Sequence, residues 1–271
     1  MQSQWVNNFA SPISNQQDSL LYIHELTRIY GNSRTGVAAR ALNGITLTVQ
    51  RRDFLSIMGP SGSGKSTLLN LLAGLDKPDG GDIRLQGKSM SGMNSDQLAL
   101  FRRRNLGFVF QDFNLLDTLT LAENVALPLS LDARKHSEIE QRVREVMAFL
   151  GIDEYRHRYP YEVSGGQQQR AAVARAVVHQ PLLLLADEPT GNLDSASARA
   201  LLELFQQLNE QMGSTILMVT HDPLSASYSK RVVFINDGQV FTQLERSLDQ
   251  QHFFQAILNL LSRLEDKHGM A

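Results

Sequence analysis

Cysteine is absent from this chain, which excludes disulfide staples and thiolate metal sites and fits a reducing compartment. Long apolar runs are missing too. The longest, residues 146–150 and 182–186, fall far short of the roughly 18 residues needed to span a bilayer. Neither charge sign prevails: 26 Lys and Arg stand against 28 Asp and Glu, a formal net charge of −2, so nothing in the balance points to nucleic acid. The run Arg102-Arg103-Arg104 reads as a solvated helix face. Residues 1–18 are rich in Gln, Asn and Ser, without the basic start and apolar stretch of a signal peptide, and read as a loose tail. Internal repeats, low-complexity segments and long heptad runs are also lacking. The length of 271 residues suits one large α/β domain with a smaller lobe.

What is present is concentrated chemistry. Residues Gly59-Pro60-Ser61-Gly62-Ser63-Gly64-Lys65-Ser66-Thr67 have the form G-x-x-x-x-G-K-[ST]. A triphosphate needs many donors converging in a small volume. Glycines at 59, 62 and 64 let successive backbone N–H groups turn inward as an anion nest. The apolar run 54–58 before the loop reads as a buried strand, and 68–73 after it as a helix whose N-terminal dipole faces the phosphates. Lys65 is then placed for β- and γ-phosphate oxygens and the Ser66 hydroxyl for Mg²⁺. A chance match of this pattern is rare, and the strand and helix around it make it rarer.

Elsewhere strand-like runs alternate with helical ones. Residues 20–24, 44–49, 109–110, 182–186, 215–220 and 231–235 read as strands, with a hairpin turn at Asn236-Asp237-Gly238. Residues 137–150 read as a helix capped by Ser137 with Glu140, its face formed by Ile139, Val143, Met147 and Leu150. Helices are also expected after Gln167 through Val178, after Asp194 as far as Gly213, and from a Ser247/Gln250 cap along the stripe Phe253, Ile257, Leu260, Leu261 and Leu264. The pattern is a parallel α/β core interrupted by a helical insert.

The strand at 182–186 delivers Asp187 and Glu188 at its carboxyl end, where open α/β sheets bind ligands. With a phosphate loop upstream, Asp187 suits the Mg²⁺ shell and Glu188 the polarising of an attacking water. A solvated acidic turn is the plain alternative. Gln111 and His221 also end strands, but alone each carries little weight.

About a hundred residues after the loop stands Val163-Ser164-Gly165-Gly166-Gln167. The loop, Gln111, this glycine signature, Asp187-Glu188, Asn192-Leu193-Asp194 and His221 occur in the order and spacing of ATP-binding cassette (ABC) transporter ATPases. The chain resembles that family from about Leu20 to Gly238. Two departures stand out: Val163 replaces the usual Leu, and Gly191-Asn192 the commoner Ser-Ala.

The resemblance implies an α/β P-loop NTPase fold, with an inserted helical subdomain and an N-terminal antiparallel β part. It divides the chain into a tail at 1–19, an ATPase domain at 20–244 and a C-terminal helix at 245–271; the RecA-like core is about 20–111 and 167–244, and the insert about 112–166. It implies that ATP and Mg²⁺ bind. Tyr30 would stack on adenine, Gln111 would sense the metal, and His221 would hold the γ-phosphate or the water. Two copies would form a head-to-tail homodimer, in which Ser164, Gly165, Gly166 and Gln167 of one chain cap the nucleotide of the other and Asp194 lies at the seam. An integral membrane permease would supply the membrane spans and touch residues 112–117, placing this chain peripherally on the cytoplasmic face of the membrane.

Stretches 110–120, 221–231 and 237–258 look closest to bacitracin-type antimicrobial-peptide transporters, which act indirectly on a sensor kinase; the wider branch includes lipoprotein-release and macrolide-export ATPases. A soluble translation ATPase of the family normally carries two cassettes, and a chromosome-maintenance ATPase a long coiled coil. Neither feature is seen here.

Overall fold

The computed structural model describes residues 19–31, 38–131, 135–247 and 249–268, the side chains of 264–268 excepted. The expected tail at 1–18 and the side chain of Leu264 lie outside them. Two sheets organise the chain. The first is antiparallel, ordered β2-β1-β4-β5, from β1 (Leu21–Gly31), β2 (Ala38–Val49), β4 (Gly80–Leu85) and β5 (Lys88–Ser89). The second is ordered β10-β9-β3-β8-β7-β6, from β3 (Phe54–Met58), β6 (Leu106–Val109), β7 (Leu183–Asp187), β8 (Ile216–Val219), β9 (Arg231–Asn236) and β10 (Gln239–Glu245). Its neighbours pair in parallel except β10, which returns antiparallel from β9 through Asp237 and Gly238, both at positive φ. The hairpin turn read at 236–238 is therefore present.

Alternation along the central strands divides the core. Leu55, Ile57, Leu183, Leu185, Leu217 and Val219 face the antiparallel sheet and α1 (Lys65–Leu72). The intervening residues Phe54, Leu184, Ala186, Ile216 and Met218 face α3 (Leu121–Ser130), α4 (His136–Phe149), α5 (Gly165–Val177) and α6 (Ser195–Glu210). Every second side chain of a strand points to the opposite face, so a continuously apolar strand is one covered on both sides. On that second face, α7 (Pro223–Ser227) and α8 (Gln250–His268) close over Met58, Val232 and Phe234. The stripe residues Phe253 and Ile257 are buried there, with Leu260 and Leu261 packed beside them. None of the described helices is long and apolar enough to cross a membrane.

Several boundaries differ from expectation for identifiable reasons. Helix α4 begins at His136 with Lys135 as its uncapped N-terminal neighbour, so Ser137 is already helical and makes no cap with Glu140. Helix α8 starts at Gln250, and the side chain of Asp249, not Ser247, accepts from the His252 N–H. Residues to Glu245 belong to β10. Helix α2 (Ser95–Asn105), of which the sequence suggested only a face at 102–104, opens with a reciprocal Asn94–Gln97 cap. At its end Arg104 is exposed, but Arg103 is half-buried and Arg102 donates to the Gly74 carbonyl at 2.8 Å, so the arginine run is only partly a solvated face.

Candidate active site

Parallel strands place their carboxyl ends along one edge, which is where the singled-out residues gather. β3 runs into the phosphate loop, β6 precedes Gln111, β7 ends on Asp187 and β8 precedes His221. Strand order puts β3 beside β8 and β8 beside β7. A crevice at such an edge is the usual ligand site of an open α/β sheet.

The loop has the backbone its glycines predict. Gly59, Gly62 and Gly64 all have positive φ, and Gly64 is the N-cap of α1 at φ 101°. A Cβ on Gly64 would stand 2.3 Å from the Ala41 carbonyl oxygen, so only glycine fits beneath β2. The first turn of α1 carries no acidic residue, leaving its N–H groups and dipole available to an anion. Lys65 is buried; its Nζ donates to the carbonyls of Gly59 at 2.9 Å and Pro60 at 2.8 Å. Burial pushes its pKa down, opposed by the charges of Glu188 and Asp187. Ser66 is exposed at the helix start, with Ser63 buried and Ser61 exposed in the loop.

At the end of β7, burial and the neighbouring charge of Glu188 push the Asp187 carboxyl up, and Lys65 pulls it back. Glu188 adopts φ 43°, an uncommon left-handed conformation for a side-chain-bearing residue. Its N–H still donates to Val219 at 2.9 Å, and its carbonyl accepts from Gly191 at 3.0 Å. The carboxylate is thereby turned toward His221, whose Nδ1 lies 2.9 Å from Oε1. Beyond it, Asp222 caps α7 through the N–H groups of Leu224 and Ser225.

Gln111 lies two residues past β6, half-exposed, against the loop that follows Glu188. A Cβ on Gly191 would come within 2.8 Å of its amide nitrogen. Asn192, one of the two departures noted in the sequence, donates to the Gln111 carbonyl at 3.2 Å and to Asp112 Oδ1 at 2.8 Å. Its contribution could not be read from spacing.

The glycine signature forms a helix start. Ser164 caps α5, accepting from the Gln167 N–H at 3.3 Å, while the Gln167 side chain accepts from the Ser164 N–H at 2.8 Å. Gly165 and Gly166 thus lie in the first turn, earlier than the expected helix after Gln167. Val163 packs on the core, as an apolar replacement of Leu should. Asp194 caps α6 by accepting from Ala196 and Ser197, and the Ser197 hydroxyl and amide hold its carboxyl below the usual range. Ser197 faces Gly166, where a Cβ would meet its Oγ at 3.1 Å, so Asp194 and the signature adjoin.

Tyr30 stands apart from these groups on β1. Its ring is 40% exposed, with the Arg28 guanidinium 4.7 Å from the centroid and Asp76 accepting its hydroxyl at 2.7 Å. Sequence reading also passed over Gln169, a polar residue on the buried side of α5 with Ala172, Val173 and Ala176. Polarity on an apolar helical stripe was the available signal.

Known proteins resemble this chain. The pattern of the ABC transporter family matches residues 42–191. The bacitracin export ATP-binding protein BceA of Halalkalibacterium halodurans is 48% identical over 238 residues, 87% of this chain and 94% of that protein. The macrolide export ATP-binding/permease protein MacB of Hyphomonas neptunium is 44% identical over 223 residues, 82% of this chain and 34% of MacB, so the chain spans about a third of that relative. The solved dimer of the ATP-binding cassette MJ0796 in a post-hydrolysis state with ADP and Pi superposes with a TM-score of 0.76 at 37% identity, over 84% of this chain and all of that one. With its loop, signature and strand-end carboxylates in these positions, the chain belongs to the ABC transporter family of ATP-binding proteins.

Proposed function

We propose that this chain is the ATP-hydrolysing subunit of an exporter of the bacitracin-type, antimicrobial-peptide class, working as a head-to-tail homodimer on a separate membrane permease. The carrying observation is the Glu188–His221 contact at the carboxyl edge that also holds the phosphate loop. Lys65 would exchange the carbonyls of Gly59 and Pro60 for phosphate oxygens as ATP enters. Glu188 takes the proton of the attacking water, and His221 fixes one carboxylate oxygen so that the other faces the water. Tyr30 offers its ring to adenine, and Asp194 together with Ser164–Gln167 meets the nucleotide held by the opposite chain.

Mg²⁺ fits this donor set. No three His, Asp or Glu side chains converge as a cage among the described residues. Ser66, Asp187 and Gln111 would hold the ion together with phosphate oxygens and water, as Mg²⁺ prefers. Bound there, it would neutralise charge on the β- and γ-phosphates.

Residues 112–166 read as the helical lobe that meets the permease, and 20–111 with 167–244 as the catalytic core. On this reading the chain would sit peripherally on the cytoplasmic face of the membrane, with a sensor kinase coupled indirectly through the permease. BceA carries the export reading, through identity over nearly its whole length. The test is capture of the tagged chain from detergent-solubilised membranes of its source, alongside Mg²⁺-ATP hydrolysis by the purified protein. A many-span permease with a large extracellular domain bears out the peptide-export reading. A smaller permease of the macrolide or lipoprotein-release kind overturns the subclass, and absence of both hydrolysis and a membrane partner overturns the whole.

A further inference from the structure

Gln169 is fully buried in α5, and the chemistry above makes no use of it. Its Nε2 donates to the Pro189 carbonyl at 2.6 Å and to the Phe110 carbonyl at 3.2 Å. Each of these carbonyls adjoins a residue assigned to catalysis. Phe110 immediately precedes Gln111, and Pro189 immediately follows Glu188. One amide thus joins the two segments that flank the reacting groups, just past the ends of strands β6 and β7.

The orientation of that amide is determined. Its Oε1 is buried without a hydrogen-bond partner among the described residues, and flipping the group would set this oxygen against two carbonyl oxygens. Buried polar side chains are normally fully paired, and an apolar residue would fill the place as Ala172, Val173 and Ala176 do beside it. The donors, not the volume, distinguish glutamine here.

A second tie holds the same segment to the same helix. Arg175 donates to the carbonyls of Phe113 at 2.9 Å and Asn114 at 2.6 Å, two consecutive residues with positive φ. Both of these partners are carbonyls, and burial pushes its pKa down. The stretch 110–114 is therefore gripped twice by α5, whose first residues are the signature.

We propose that Gln169 is a positioning residue that links the signature end of α5 to Gln111 and Glu188 of its own chain. The inference rests on the ATPase reading above. Five residues of helix separate Ser164 from Gln169, about 7.5 Å along a rigid axis. Seating Ser164–Gln167 on the nucleotide of the opposite chain shifts α5 as a body. The Phe110 and Pro189 carbonyls follow the Gln169 amide, and the two catalytic side chains are aligned only when the far site is engaged. Gln169 touches no substrate; it acts through backbone placement.

Gln169→Met keeps the shape and removes both donors, and Gln169→Asn keeps the amide but withdraws it by one methylene. In the full-length chain, kcat for Mg²⁺-ATP hydrolysis should fall about ten- to hundredfold in both, the scale of a small misplacement of catalytic groups. Affinity for a fluorescent ATP analogue should stay within about twofold, and ATP should still drive dimer formation when Glu188→Gln is added. A purely structural role predicts something else: a lower melting temperature with kcat per folded molecule unchanged, or affinity lost in step with kcat. Either result overturns the inference, and Gln169→Asn decides by the same criteria if Gln169→Met does not fold. Failure of the wild-type chain to hydrolyse ATP would instead remove the ATPase reading itself. Wild-type hydrolysis with unaffected Gln169 variants removes this inference alone.

Discussion

His221 Nδ1 lies 2.9 Å from Glu188 Oε1, joining the ends of two neighbouring strands, β7 and β8. The glutamate reaches this position by adopting φ 43°, while its N–H keeps the sheet pairing to Val219. A left-handed side-chain-bearing residue is held by its surroundings at a cost of about 1–3 kcal/mol, and such strain collects at functional sites. One carboxylate oxygen is engaged, which fixes the direction of the other.

Replacement of Glu188 by Gln preserves shape and removes the proposed base. Turnover should drop by about a hundred- to ten-thousandfold, the usual contribution of a general base. ATP binding should persist, and an ATP-bound dimer should accumulate on a sizing column. Near-normal phosphate release by Glu188→Gln would remove Glu188 from the role of base.

Lys65→Ala tests the phosphate contact. The ammonium is already desolvated, and its two carbonyl partners lie within the loop itself. The variant should bind ATP at least about tenfold more weakly, since a charge-assisted hydrogen bond contributes roughly 1.5–3 kcal/mol. Without nucleotide, its melting temperature should stay close to wild type, because a buried cation adds little net stability. Titration calorimetry decides the first point, and unchanged affinity would contradict the assigned contact.

How far the sequence disclosed this site depended on where its signals lay. The β3–loop–α1 unit was legible because an apolar strand, three glycines and a helix start agree at every level. Strand β1 was read only near Leu21–His24. Past that point it is largely exposed, and its pairing with β2 shifts register around Leu26 and again at Ile29. Helix α2 was read only as a face at 102–104, its extent unrecognised, because it buries only Leu98 and Phe101. Asn192 gave no signal, and Gln169 only its polarity on an apolar stripe, which gives no partner, for a different reason. Both act on the backbone of residues about 20 to 80 positions away in sequence, and no local pattern encodes that distance.

Asp76 gives a pH prediction. Burial pushes its carboxyl up, but the Tyr30 hydroxyl, the Lys77 N–H and Arg28 together hold it below the usual range. A carboxyl depressed in the folded state stabilises the protein above its unfolded pKa of about 3.9, and that contribution is lost as pH falls through the lower folded value. The melting temperature of Asp76→Asn should therefore lie below wild type at neutral pH, and the gap should close only under about pH 4. A gap independent of pH would show that the carboxylate charge is not what holds Tyr30 and Arg28 together.

Two glycines of one loop should respond differently to alanine. At Gly59, φ is 154° and a Cβ would stand 2.0 Å from the Ile235 carbonyl oxygen and 2.8 Å from Ser63 Oγ. Ile235 belongs to β9, which pairs with β3 up to Met58, so the clash cannot be relieved without disturbing the sheet. Gly59→Ala should cost about 2–3 kcal/mol as an overpacked site. At Gly62, φ is 78° but nothing lies within 4 Å of a Cβ, leaving only the left-handed backbone penalty of about 1–2 kcal/mol. Thermal melts without nucleotide should rank Gly59→Ala below Gly62→Ala, and both below wild type. Equal melting temperatures would mean that β9 yields at Ile235, and the approach of loop to strand would then not be what requires glycine at position 59.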